Sequence, residues 1–135
     1  MKCKKHFAVA LLLVAAAVAA IANSEIMKVE AVGIENYSLF DGSPGFAGSP
    51  VGFGGATQPA AMEWLKDEGF VTVISLRLVT EEVAGREGNR AAAEAAGLNY
   101  IHLPFDPETP DEHVIQSFMA AVGDKENQPV YIHCN

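Results

Sequence analysis

The chain has 135 residues, the size of one domain, and its 17 acidic against 9 basic residues leave a net charge of −8. That surplus argues against nucleic acid or an anionic membrane surface as a partner, because each would repel it. Two cysteines, Cys3 and Cys134, do not make a disulfide framework.

The first segment, "MKCKKHFAVALLLVAAAVAAIANSE", has a basic start (Lys2, Lys4, Lys5), an apolar run and then polar residues. This is the layout of a secretory signal peptide, with Ala20-Ile21-Ala22 as the small-residue cleavage site. The run from Phe7 to Ala22 has 16 residues, half of them alanine, and falls short of the ~20 needed to span a bilayer. The expectation is a signal peptide at 1–22, no stable membrane anchoring after cleavage, and an exported domain, periplasmic or secreted, at 23–135. Cleavage removes three basic and no acidic residues, so the mature charge becomes −11 and Cys134 is the remaining cysteine. A disulfide within the mature chain is then excluded, and the thiol is buried and inert, paired with another molecule, or kept for chemistry.

Ile26 to Phe40 is compatible with one or two short strands. Asp41 to Pro59, rich in glycine, proline and serine, reads as a long connection and lacks the spacing of a phosphate-binding loop. Pro59 opens a helix over 60–68 that turns Met62 and Leu65 inward with Trp64 beside them, and Gly69 stops it. "FVTVISL" is a β-branched apolar run, as in a parallel strand covered on both faces. Thr80 is a cap for a second helical region through "NRAAAEAA" to Gly97, weakened by Gly85 and Gly88. "LNYIHLPF" is the next strand. "TPDE" at 109–112 has the layout of a capping box for a helix through Val122, and "QPVYIHC" is the last strand.

Strands alternating with helices predict an α/β fold, a mostly parallel central sheet flanked by helices. Chemistry in such sheets lies beyond the carboxyl ends of the strands, where Arg77, Asp106 and Cys134 fall. Cysteine attacks as the thiolate, so its free pKa of ~8.5 must be lowered, as the amides of a strand-to-helix turn would do. An acid must then protonate the leaving alkoxide. Asp106 opens a loop after a strand expected to adjoin the one before Cys134.

"VYIHC" resembles the start of the signature of cysteine-dependent protein tyrosine and dual-specificity phosphatases, His-Cys, five loop residues, then arginine. "FDPETPDEHVIQSF" resembles their general-acid loop. "GFGGATQPAAMEWLKDEGFVTVISLR" and "AAAEAAGLNYIHLPF" resemble the small bacterial dual-specificity-like group related to the phosphatase-like domain of β-lactamase-hydrolase-like proteins. The resemblance covers about residues 36–135. It implies Cys134 as nucleophile, Asp106 as general acid and then base, His133 as a support for the thiolate, and a phosphorylated substrate of unspecified type. No cofactor is implied. The five loop residues, the arginine and the following helix are not present, because the sequence stops at Asn135 within the signature. The expectation is therefore an incomplete domain, inactive as it stands, with activity residing in a longer gene product.

Other readings stay open from sequence alone. Cys134 could be apolar filler at a strand end. Asp106 could be a turn residue before Pro107, with Glu108 or Asp111 as the acid, although Asp111 reads better as a first-turn helix charge. Arg77 reads as structural. His6, His102 and His113 are scattered and form no zinc-like set. A rhodanese-like sulfurtransferase also places a cysteine in an anion-binding loop after a parallel strand. A non-catalytic binding domain on the same fold is the third reading.

Overall fold

A computed structural model describes residues 28–40, 49–80 and 83–134, with the backbone alone for 83–87. The segment expected to be a signal peptide lies outside the described residues, as do residues 41–48. A helical turn at 28–31 leads to strand β1 (Ser38–Phe40), followed by β2 (Val51–Gly54), helix α1 (Ala61–Asp67) and β3 (Thr72–Ser75). Helix α2 (Val83–Ala95), β4 (Asn99–His102), α3 (Glu112–Gly123), a 3-10 turn at Lys125–Asn127 and β5 (Val130–His133) complete the order. The strands form one sheet in the order β1-β2-β5-β3-β4. The β1–β2 pair is antiparallel, and β2, β5, β3 and β4 run parallel.

Alternation along the strands sorts the core into two layers. Val73 and Tyr131 pack with Met62 and Leu65 of α1, Ala93 of α2, Phe70 and Leu98. Ile74, Val130, Ile132 and Val51 face the other way, against Val122, Phe118 and Ala121 of α3. Each fully buried aliphatic side chain contributes roughly 1.5–3 kcal/mol. Helices α1 and α2 end as expected, at Gly69 (φ +90°) and Gly97 (φ +76°), where the left-handed backbone suits glycine.

Four local expectations need correction. The glycine-rich stretch holds a strand, β2, inside what reads as connection. Its glycines make room for rings: a Cβ on Gly52 would come within 2.6 Å of Phe70 Cζ, and one on Gly54 would collide with the Tyr131 hydroxyl. Second, the segment read as one or two short strands does supply one, β1, but it opens with a helical turn at 28–31. Third, the cap of α3 is Asp111, whose carboxylate accepts from the His113 amide at 2.8 Å. Asp111 is thus more than a first-turn charge, and Thr109 is not the cap because its hydroxyl is directed elsewhere. Fourth, β4 does not adjoin β5, since α3 carries the chain across β3 and β3 lies between them.

Candidate active site

The four parallel strands finish in one row, with Gly54, His133, Ser75 and His102 in register. Hydrogen bonds continue the ladder a step further. The Cys134 amide donates to the Gly54 carbonyl at 3.3 Å, the Leu76 amide to His133 at 2.9 Å, and the Phe105 amide to Leu76 at 3.1 Å. Cys134 and Asp106 therefore leave the same, carboxyl edge of the sheet, with the end of β3 between them.

Cys134, the last described residue, is an exposed free thiol. The strand behind it is fixed. Tyr131 is wholly buried, and its ring stacks on His133 (centroids 6.1 Å, planes 15° apart). Its hydroxyl lies 2.8 Å from Thr57 Oγ1. Thr57 donates its single proton to the Gly55 carbonyl at 3.2 Å, so Tyr131 is the donor in their contact. Burial pushes the Tyr131 phenol up to about 12.

His133 is 1% exposed, and among the described residues neither ring nitrogen makes a well-aligned hydrogen bond, although the Cys134 backbone partly offsets the effect of burial on the ring. Burial, with the Arg77 charge second, pushes its imidazole down to about 4. The ring is thus neutral at physiological pH, and His133 is not a cationic partner of the thiol. A cation at this edge is Arg77, itself buried, whose backbone carbonyl meets His102 Nε2 at 2.8 Å. Sequence reasoning gave Arg77 a structural role and missed its electrostatic influence on His133. The available signal was a charge placed directly after a buried apolar run.

A stability consequence follows. Between its unfolded value of 6.5 and its folded value of about 4, His133 binds a proton only when the chain unfolds. Its contribution to stability is present above pH 6.5 and is lost as pH falls through that window, by on the order of 3 kcal/mol in full. Urea unfolding midpoints should drop between pH 7 and pH 5, and His133→Gln should flatten the dependence; an unaltered slope in that variant counts against a buried neutral ring.

Asp106 is partly exposed and engaged within its own loop. Its Oδ1 accepts from the Glu108 amide at 2.9 Å and its Oδ2 from the Thr109 hydroxyl at 2.8 Å. The Thr109 hydroxyl first, then the Glu108 amide, hold this carboxyl below the usual carboxylate range. No group of three or more metal-ligating side chains occurs among the described residues.

A parallel sheet that ends in an exposed cysteine, with helices on both faces, is the architecture of the cysteine-dependent phosphatases. The chain belongs to the family described as DSP-PTPase phosphatase fused to NAD+ kinase, whose model matches residues 50–135. Among solved structures, a DUF442 candidate phosphatase from Shewanella putrefaciens CN-32 superposes with a TM-score of 0.60 at 22% identity, covering 78% of this chain and 63% of its own. A candidate phosphatase from Neisseria meningitidis Z2491 gives 0.53 at 23% identity, covering 62% and 61% respectively. The core catalytic domain of the PP-IP phosphatase SIW14 from S. cerevisiae gives 0.56 at 17% identity, covering 76% and 57%. At these identities the superpositions establish the shared fold. The matched region spans less than two thirds of the Shewanella protein's length. Among curated proteins, no relative of the chain is found.

Proposed function

We propose that the chain carries the nucleophile and general acid of a phosphomonoester hydrolase that works through a cysteinyl-phosphate. The observation that carries this reading is an exposed cysteine at the end of a buried parallel strand, with Asp106 leaving the same edge, in a chain of the phosphatase family. The Cys134 thiolate attacks phosphorus, forming the S–P bond as the bond to the leaving oxygen breaks. Asp106 gives that oxygen a proton. It then takes one from water, whose oxygen attacks the phosphocysteine, releasing inorganic phosphate and regenerating the thiolate.

With Thr109 and Glu108 holding it, Asp106 is an ionised carboxylate at neutral pH, and proton donation requires that these contacts give way when substrate is bound. His133 supports the site as a neutral ring. The family signature supplies its phosphate cradle, loop amides and an arginine, after the cysteine, so the reading concerns the full-length gene product. Export of that product is part of the same reading, supported by the layout of the leader.

The rhodanese-like alternative receives no support from the family match. Sulfur transfer would also have no use for Asp106. The test is hydrolysis of an aryl phosphate by the full-length product. Asp106→Asn should lower kcat by ~10²–10⁴ and remove the alkaline limb of the pH profile. Unchanged turnover and an unchanged profile would take Asp106 out of the mechanism.

A further inference from the structure

We propose that the groove between the helical turn at 28–31, β1 and α1 is a binding site for a small organic ammonium cation. Its cavity of about 400 Å³ has the size of a small-ligand site. Val29 and Ile34 give it an apolar floor, and Tyr37 and Trp64 form its aromatic wall. Their rings stand perpendicular, at 86°, with centroids 5.4 Å apart. The two rings brace each other edge to face, with Tyr37 also stacked on Tyr131, and such a fixed aromatic wall attracts an alkylated cation without demanding hydrogen bonds from it.

Charge selects among the occupants this shape would admit. Glu30 and Glu68 line the same cavity and are exposed. A phosphate or carboxylate would be repelled by both. A neutral apolar guest would fill the volume but cover two carboxylates with nothing to offset their lost hydration. A quaternary or alkylated ammonium answers both parts of the wall. Burial and the neighbouring Glu68 charge raise the Tyr37 phenol above its ordinary value, which keeps this ring neutral and places the Glu68 field on the aromatic wall. The inference stands apart from the phosphatase reading, since none of its residues belongs to the carboxyl edge of the parallel strands.

Trp64 is the single tryptophan of the chain, so its fluorescence reports on this groove. The probe is choline at millimolar concentration, set against its neutral isostere 3,3-dimethylbutan-1-ol, with ionic strength held constant by sodium chloride. Choline should give a saturable change and the isostere none. Glu68→Gln should weaken choline about three- to tenfold, and Glu68→Lys should abolish it. Glu68 is exposed, so both variants should fold, which circular dichroism checks. Trp64→Leu, followed by calorimetry, should weaken binding about tenfold. Equal responses to cation and isostere, an affinity unmoved by Glu68→Gln, or no saturable response to choline overturns the proposal.

Discussion

On the proposed mechanism, serine in place of Cys134 should abolish hydrolysis of an aryl phosphate by the full-length gene product, with an expected loss of at least about a thousandfold in kcat. The two side chains are nearly the same size, so the loss reports chemistry and not packing. A thiol with a free pKa near ~8.5 is brought to its anion by modest stabilisation, whereas a hydroxyl at neutral pH needs a general base. The imidazole of the preceding residue, His133, is neutral but buried, and its ring stacks on Tyr131 in the core. It is badly placed to act as that base. Stopped-flow assays should therefore show neither a burst nor steady turnover in Cys134→Ser. Its affinity for inorganic phosphate should stay close to that of the parent, because the anion site itself is intact. Turnover that persists in the serine variant would remove Cys134 from the nucleophile's role and leave only the fold in common with the phosphatases.

The second large effect concerns the strand that carries the cysteine. Tyr131→Ala should cost about 3–5 kcal/mol of unfolding free energy, the range for truncating a buried aromatic. That is a large share of the ~5–15 kcal/mol a domain possesses. Tyr131 heads the fully buried side chains by size, and its ring meets Phe70 at 5.9 Å, Tyr37 at 6.3 Å and His133 at 6.1 Å. Truncation opens a void among three rings that cannot all close on it. It also leaves the space above Gly52 and Gly54 unfilled, because those positions lack a side chain where this ring lies. Tyr131→Phe keeps the ring and loses one hydrogen bond to Thr57, so it should cost only about 1 kcal/mol. Urea denaturation of both variants separates the two contributions. An alanine variant as stable as the phenylalanine one would show that the ring packing contributes little.

The parallel core was legible wherever burial on both faces forced an unbroken apolar run, as in "FVTVISL" and "VYIH". The helix stops at Gly69 and Gly97 were legible because a left-handed backbone is a local requirement. β2 was not. Its glycines are demanded by Tyr131, which lies 77 residues beyond Gly54, and by Phe70. From sequence, a glycine that yields space to a distant ring looks the same as one that loosens a loop. The α3 cap failed for a related reason. Thr109 and Asp111 both suit a cap, and the choice between them depends on Asp106 taking the Thr109 hydroxyl. At the site, the departure of Cys134 and Asp106 from one sheet edge followed from strand ends alone. The order of strands did not follow, and neither did the neutral state of His133, which arises from burial and from a charge 56 positions away on another strand end.

The central place of β5 bears on how the molecule is assembled. β1 with β2, and β3 with β4, are each close in sequence and can pair early, but neither pair touches the other until β5 is laid between them. During synthesis the ribosome releases β5 after the other four strands. Until then two open β-edges, at β2 and at β3, are exposed to any neighbouring chain. The strand that carries Cys134 is thus the keystone of the sheet. The interval before it arrives is the period in which a nascent chain most needs shelter from its own kind.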